Sequence, residues 1–422
     1  TQGGAASPYP STIDVTGTLN LGGPVAPMLN AQSPYLFEVG LTQPAGTNAL
    51  DLSFRVKGVN ELGFNTRQAG AYNAVLDLME RDNTVGAAVS SLPGASEFLR
   101  SWQDLLPAPD AGVMRVLASN ATAAFGATAH RLDLVSDKPD APGGAWAEEF
   151  GVYHTADASA DGLALSGGGF GIAAGLDLLS NGSALIGAFG SLESVELEEE
   201  SRTSAPLNVA QTTIGAYGGW RAGNFALNGA GGVGFVDFTS DRKVAVGTLA
   251  DRVKSDWKGT SYNAAARASY TLPLGFLDVK PFLAADYMML KQDAYRESAE
   301  TLSNLELIAD ESEASLATGS YGLSLIGDFG SDDAFKFTPQ LTVGYRNILT
   351  WDPGKADYRF AGNTAGTTFS LVPGVEPEDA IVAGLGINID SQFLNIKVGY
   401  DTEISDTATT HYGSITLRMA FC

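Results

Sequence analysis

The chain has 422 residues, a net charge of −23, 44% hydrophobic and 17% charged residues, 50 glycines and a single cysteine. An acidic chain without a basic stripe is repelled by nucleic acid and by anionic membrane surfaces, and evenly spread apolar residues exclude general disorder. Cys422 alone permits no intrachain disulfide and no thiolate cluster, and His130, His154 and His411 lie far apart with no ligand spacing between them, so no metal or other cofactor is implied.

No run of 18 apolar residues occurs, which excludes helical membrane spans; a β-barrel needs only about 10 alternating residues per span. Thr1-Gln-Gly-Gly is not the charged and apolar start of a signal peptide. A leader has been removed, or the chain is a piece of something longer.

Thr1 to about Val56 reads as short strands and turns. Ile13, Val15 and Leu19 alternate with polar residues, Leu36-Phe-Glu-Val-Gly-Leu is a second candidate, and Leu50, Leu52, Phe54 and Val56 share one face of a third. These pieces suit the last coils of a β-solenoid, or a small irregular β module. From Asn65 to about Arg81 the period becomes helical, with Ala69, Tyr72, Leu76 and Met79 in one stripe. Phe98, Leu99, Trp102, Leu105 and Leu106 make a second amphipathic helix, with Ser96 as a possible cap and Pro107 as its stop. Core packing explains both helices, against one another or over the open end of the β module.

Gly112 to about Leu134 is rich in Ala, Gly, Ser and Thr, has few helix breakers and lacks a wide Leu/Ile stripe. About 20 residues of helix cover roughly 30 Å, close to the hydrocarbon thickness. A slim helix of this kind, carrying Arg115, Asn120, Phe125 and Arg131, suits a narrow polar channel or, more simply, a link between domains. Its place just before the strand pattern favours the channel. Ser136 to Gly144 is a turn-rich connector.

The rest of the chain holds twelve strand candidates, near 145–154, 164–178, 182–191, 207–221, 224–238, 258–271, 276–290, 313–326, 334–347, 378–390, 392–402 and 409–421. Phe335, Phe337, Leu341, Val343 and Tyr345 share one face of the ninth, with Lys336, Thr338, Gln340, Thr342 and Arg346 on the other. The face opposite the apolar one is rich in Gly, Ala, Ser, Asn and Asp, the composition of a lumen that leaves room for a helix or a moving chain. Glu148, Asp177, Lys336, Gln340, Arg346, Asn388 and Arg418 are the candidate lumen-facing residues. Glu148 and Glu149 are neighbours on a strand and point to opposite faces; whichever faces inward is placed to meet Arg115 or Arg131. Tyr153, Trp220, Phe225, Tyr262, Tyr270, Tyr287, Tyr345, Tyr400 and Tyr412 cluster near strand ends, where interfacial girdles would lie. Connections after the second, fourth, sixth, eighth and tenth strands are short, and those after the third, fifth, seventh and ninth are long. Short periplasmic turns and long outer loops are the expected asymmetry. Both barrel ends are then periplasmic, and the preceding helix either stays in the periplasm or threads the pore from outside inward; its length and surface favour threading.

The chain expected is therefore all-β: a 12-stranded antiparallel transmembrane barrel threaded by an N-terminal helix, after a small β-solenoid-like and helical remnant. The expected divisions are 1–60, 61–111, 112–143 and 144–422. No Gly-x-Ser-x-Gly, His-Glu-x-x-His or phosphate-loop motif occurs, so no catalysis is expected.

Gly144-Ala-Trp-Ala, Gly167-Gly-Gly-Phe-Gly-Ile-Ala-Ala-Gly-Leu-Asp, Ile214-Gly-Ala-Tyr-Gly-Gly-Trp, Tyr262-Asn-Ala-Ala-Ala-Arg-Ala-Ser-Tyr, Pro281-Phe-Leu-Ala-Ala-Asp-Tyr, Ala383-Gly-Leu-Gly-Ile, Val398-Gly-Tyr and Gly413-Ser-Ile-Thr-Leu-Arg-Met-Ala-Phe follow in order. In their order and spacing they resemble the C-terminal translocator of the type Va autotransporters. The resemblance implies an outer-membrane barrel, monomeric and set in outer-membrane lipid and lipopolysaccharide, that takes part in delivering its own N-terminal passenger to the cell surface. It implies periplasmic chaperones and the barrel assembly machinery as partners, no nucleic acid, and Phe421 as part of the assembly signal, followed here by Cys422. Some relatives cleave themselves at an asparagine in the pore helix; Ser119 and Ala121, flanking Asn120, do not match that motif, so the passenger is expected to stay attached. The competing reading is a porin-like or adhesin-like surface protein without a secretion role.

Overall fold

The computed structural model describes residues 12–14, 34–42, 51–107, Val113, Met114, Leu117, Ala118, Phe125, Gly126 and Thr128, then 144–159, 162–181, 183–330, 336–362, 367–371, 376–390 and 394–420. Twelve long strands close on themselves: Gly144–Ala156, Leu165–Asn181, Ala184–Glu199, Leu207–Ala222, Phe225–Val246, Leu249–Tyr270, Leu277–Gln292, Ser312–Gly327, Lys336–Asp352, Ala380–Asp390, Leu394–Ile404 and Ala408–Ala420. They are strands one to twelve below. Each pairs antiparallel with its neighbour in sequence, and strand twelve pairs with strand one from Ala408↔Ala156 to Ala420↔Gly144. Closure removes both sheet edges, so the backbone donors and acceptors are satisfied without water.

Alternation then gives the wall two faces. Phe170 is 68% exposed and Leu385 62%, whereas Gly171 and Gly384 beside them lie on the inward face. Exposed apolar side chains on every strand of a closed wall need a hydrocarbon surround. Trp220, Phe225, Tyr270, Phe276, Phe329 and Phe337 mark the end with short turns, and Tyr153, Tyr262, Tyr287 and Tyr400 lie toward the other. Tyr412 does not belong to this girdle: it is buried on the inward face, because Gly413, not Tyr412, shares the outer parity with Ile415 and Leu417.

Strands five and six are longer than their sequence pattern suggested. What reads as a loop after strand five continues the hairpin, with Val246 paired to Leu249 across a tight turn. Gly247 supplies the left-handed residue there, φ 56°. The long connections after strands seven and nine are also structured: Tyr295–Arg296, Leu307–Ala309, Ala356–Phe360 and Phe369–Leu371 form a four-stranded antiparallel sheet.

The N-terminal strands Thr12–Asp14, Phe37–Thr42 and Asp51–Val56 form a small antiparallel sheet with the third strand in the middle. Five helices follow: α1 Val59–Leu62, α2 Thr66–Gly70, α3 Tyr72–Arg81, α4 Asn83–Ser90 and α5 Ala95–Asp104. The helix expected over 65–81 is split at Ala71, with Asn65 capping the first piece. Helix α4 has no counterpart in the sequence reading, although Asp82 caps it through the N–H groups of Thr84 and Val85. The cap position of α5 is Gly94, not Ser96.

These helices share one apolar core with the outer end of the barrel. Leu78, Val85, Phe98, Trp102 and Leu106 pack with Val244, Val246 and Leu249 of the long hairpin and with Leu307, Tyr358, Phe360 and Leu371 of the four-stranded sheet. Leu36 and Phe37 belong to the same core, so the helices cover the β module and the barrel mouth together. Buried charges fix the register. Arg67 pairs with Glu199 at 2.5 Å, Arg202 with Glu199 at 2.9 Å and Arg242 with Glu297 at 2.5 Å. Arg242 donates to the Asp104 carbonyl at 2.8 Å, and Arg202 to the Leu106 and Pro107 carbonyls at 3.0 Å. Arginines of the barrel thus satisfy carbonyls that the end of α5 leaves open.

Two outcomes follow from this packing. Replacing Arg242 by Met leaves Glu297 buried without its partner and is expected to cost about 3–5 kcal/mol, read as lost hydrogen-exchange protection in α5 and residues 305–309. Asp82→Ala removes the α4 cap and a bond from Asn304, for about 1–2 kcal/mol of local stability. Burial alone would raise the Asp82 pKa, but the bonds from Asn304, Val85 and Thr84 outweigh it and hold the carboxyl below its usual value. The Asp82 contribution is therefore complete above an unfolded pKa of about 4 and is lost as pH falls through the lower folded value. Exchange in α4, corrected for its intrinsic pH dependence, should rise in that window in the parent and not in Asp82→Ala.

Candidate functional site in the barrel lumen

The lumen is filled from the inside by side chains of the wall and by the chain that precedes the barrel. Val113, Met114, Leu117, Ala118, Phe125, Gly126 and Thr128 are helical and sit within it. Three layers follow one another along the barrel axis.

At the outer end, Val113, Met114 and Leu117 share an apolar cluster with Val152, Leu165, Val195, Val209, Phe238, Trp257, Met288, Leu290, Leu316 and Ala408, from strands one to eight and strand twelve. Phe238 stacks on Trp257 at 5.0 Å, and Trp257 on Tyr295 at 4.2 Å. Below lies a polar band. Ser191 donates to Glu193 at 2.7 Å, Gln211 donates to Thr213 at 3.0 Å, and Ser261 donates to Gln211 at 3.2 Å.

The third layer is lopsided. On strands one to four, Phe125 packs against an aromatic wall of Trp146, Phe150, Phe189 and Tyr217, edge-on to Phe189 at 5.9 Å. The Trp146 indole donates to the Tyr217 hydroxyl at 3.1 Å, Tyr217 donates to Asp177 at 2.8 Å, and Asp177 also accepts from the Gly144 N–H at 2.7 Å. On the remaining strands, Phe125, Gly126 and Thr128 border a polar cavity of about 290 Å³. Arg267 lies over the Phe282 ring there, 4.1 Å from its centroid, and Arg346 donates to Glu403 at 2.5 Å.

The structure places the sequence candidates as follows. Glu148 is buried in the lumen and accepts from Thr416 at 2.6 Å, while Glu149 is exposed on the outer face. Gln340 and Arg346 line the polar cavity, and Asn388 is buried on the inward face of strand ten, opposite Thr338 and Lys397. Asp177 joins strand one to Tyr217 near the short-turn rim. Lys336 pairs with Asp328 at 2.9 Å, and Arg418 is half-buried opposite Trp146 and Asn395. Arg115, Asn120, Arg131 and Phe421 lie outside the described residues, as does any contact of Glu148 with either arginine. Among the described residues, no cluster of His, Cys, Asp and Glu is arranged to hold a metal.

Sequence reasoning missed the aromatic wall and the apolar cluster. Small residues on the inner face were read as room for a helix. Part of that room belongs to rings of the wall itself: a Cβ at Gly175 would sit 2.6 Å from the Trp146 indole. The signal was available, since Trp146 and Phe150 have the inward parity opposite glycines of strand two, Gly175 and Gly171.

A closed wall with an apolar outside, and a helical segment inside it, defines a transmembrane barrel of the translocator class. The autotransporter β-domain profile matches residues 145–403, and the chain belongs to that family. The fold is similar to the translocator domain of autotransporter NalP from Neisseria meningitidis, at 19% identity and a TM-score of 0.55 over 73% of this chain and 99% of that one. It is also similar to the β-domain of the Bordetella autotransporter BrkA (16% identity, TM-score 0.48, 66% and 100% covered) and the transport unit of AIDA-I from Escherichia coli (11%, 0.46, 70% and 98%). No match was found among curated protein sequences. The protein is an outer-membrane barrel that takes part in translocating and anchoring its own N-terminal passenger at the cell surface.

Substituting Gly175 by Val is expected to displace Trp146, and with it the Tyr217–Asp177 link, at an overpacking cost of about 1–3 kcal/mol. The temperature at which the barrel loses its compact mobility on an unboiled SDS gel should fall. A Trp146→Leu, Gly175→Val double variant should recover part of the loss.

Proposed function

We propose that the chain is the outer-membrane end of a secreted protein that keeps its passenger. Residues 1–60 are the last part of the passenger, 61–111 a folded junction, 112–143 the pore-threading helix and its linker, and 144–422 the translocator. The observation that supports this reading is that Val113, Met114, Leu117, Phe125, Gly126 and Thr128 lie inside the barrel while residues up to Leu106 share a core with its outer extension. A segment reaches that position when the chain ahead of it has passed outward. Lumen-facing Glu148, Gln340, Arg346 and Asn388 keep the passage polar, so that a moving chain meets hydrogen-bonding groups instead of a sticky wall.

The acyl-facing surface and its aromatic rims support outer-membrane lipid, including lipopolysaccharide, as the surround. Periplasmic chaperones and the barrel assembly machinery are the partners that bring such a wall to the membrane, with Phe421 in the recognised end. Asn120 is not a cleavage point in this reading. Expressed with a leader in a bacterium with two membranes, the full chain should run as one uncleaved species. A protease added to intact cells should remove residues before 107 and leave the barrel. Protection of that region in intact cells, equal to that of a periplasmic marker, would overturn the reading.

A further inference from the structure

The lipid-facing surface of the barrel departs in two places from its apolar pattern. The first is Glu149. It has outward parity, is exposed, and lies between Ile172 of strand two and Ile415 of strand twelve, themselves 50% and 49% exposed. Between the aromatic rims it is the one charged side chain of outward parity among the described residues, and none of them bonds to its carboxyl. Ala147, Gly151 and Gly413 adjoin it on the same face, so the group stands in a shallow trough.

The second place is on strands eight and nine. Tyr321 and Tyr345 are cross-strand partners on the outward face, with ring centroids 6.1 Å apart. They belong to neither rim. With Leu323 and Val343 beside them, they form a ridge. Among the described residues, neither hydroxyl has a bonding partner.

Both places lie at one depth. Glu149 is four residues from the rim residue Tyr153, toward the short turns. Tyr321 is likewise four residues from Ala317, which pairs with the rim residue Tyr287. Four residues of a tilted strand put each about 10 Å below the outer rim. Acyl chains there offer no donor to a carboxyl and no acceptor to a hydroxyl, so each group stands at a cost that the other would remove.

We propose that these two faces form a lateral contact between copies of this chain. The trough along strands one and twelve of one barrel receives the tyrosine ridge of the next, whose hydroxyls donate to the Glu149 carboxyl. Two donors meet an acceptor with two oxygens, and protruding rings meet small residues, which lets walls in a membrane approach closely. Trough against trough would set two carboxyls together, so the contact is head-to-tail and joins complete barrels into rows or rings. Their caps then stand side by side at the surface. This goes beyond the translocator reading, and neither the orientation nor the cleavage of the passenger enters it.

The test is cysteine cross-linking of the purified full chain in bilayers, on a Cys422→Ser background. Ala147→Cys and Leu323→Cys lie one outward position below Glu149 and Tyr321. Mixed, they should form a disulfide-linked pair on oxidation, and neither should link efficiently to itself. Ile214→Cys, 58% exposed on strand four, should join neither. Adding Glu149→Leu to the first chain, or Tyr321→Phe with Tyr345→Phe to the second, should lower the linked fraction several-fold at the same protein-to-lipid ratio. Glu149→Leu removes a polar group from hydrocarbon, so in dilute bilayers it should keep or raise the temperature at which compact gel mobility is lost. Lost linkage with that temperature maintained supports the contact. No mixed disulfide at any protein-to-lipid ratio, equal linkage of Ala147→Cys to itself, undiminished linkage in the leucine and phenylalanine variants, or lost linkage only where compact mobility is also lost would overturn it.

Discussion

Everything in this protein depends on the pairing of strand one with strand twelve. Gly144–Ala156 and Ala408–Ala420 are the ends of the sheet, and between them they would expose two rows of unpaired N–H and C=O groups to hydrocarbon. Each unsatisfied group costs several kcal/mol there. Joining the ends removes the whole penalty at once and leaves no free edge. It also divides space: every residue of a strand now belongs either to the lipid or to the lumen, and a shift by one position would exchange them.

Given that division, the lumen must be furnished. A wall built of twelve strands encloses more room than its own small side chains occupy. The protein fills it unevenly. Glycines of strand two accept the rings of Trp146 and Phe150, so the aromatic wall stands on an otherwise bare patch of backbone. The helical segment rests Phe125 on that wall, and Gly126 and Thr128 border a cavity lined by charged and polar residues. Nearer the outside the furnishing changes to valine, leucine, methionine and stacked aromatics from strands one to eight and twelve, with Asp286, Arg346, Glu378 and Glu403 bordering Ala118 on the other side. The lumen thus changes character along its axis, set by which side chains the inward parity carries at each height.

Outside the membrane the same chain builds a cap from parts that are small alone. None of the five helices exceeds 10 residues, short of the roughly 12–15 at which isolated helices become even marginal. They gain their stability from tertiary burial against the long hairpin and the four-stranded sheet. The buried pairs Arg67–Glu199 and Arg242–Glu297 join residues far apart in sequence. Such pairs are weak sources of net stability, but breaking one is costly, so they specify how the cap sits more than how firmly.

The barrel was legible in the sequence because its signal is local. Parity along a strand, the short turns and the long loops each show in a window of ten or twenty residues, and all twelve strands were found that way. Of the slim helix expected ahead of them, the described residues Val113, Met114, Leu117, Ala118, Phe125, Gly126 and Thr128 are helical. That Glu148 and Glu149 face opposite ways follows from the pleat alone. That Glu148 is the inner one was decided by closure, since only the ring defines an inside. Tyr412 shows the same limit: near a strand end by sequence, it is turned inward by parity that the wall made meaningful. The hairpin extension to Leu249 and the sheet made from two loops were hidden because their strands are stabilised by helices 150 to 300 residues earlier. The sequence by itself determined a closed, lipid-facing wall with a helix to thread it. Tertiary structure alone decided which inward side chains meet at one level of the lumen, because such a layer draws residues from many strands at one height, and height is a property of the assembled ring.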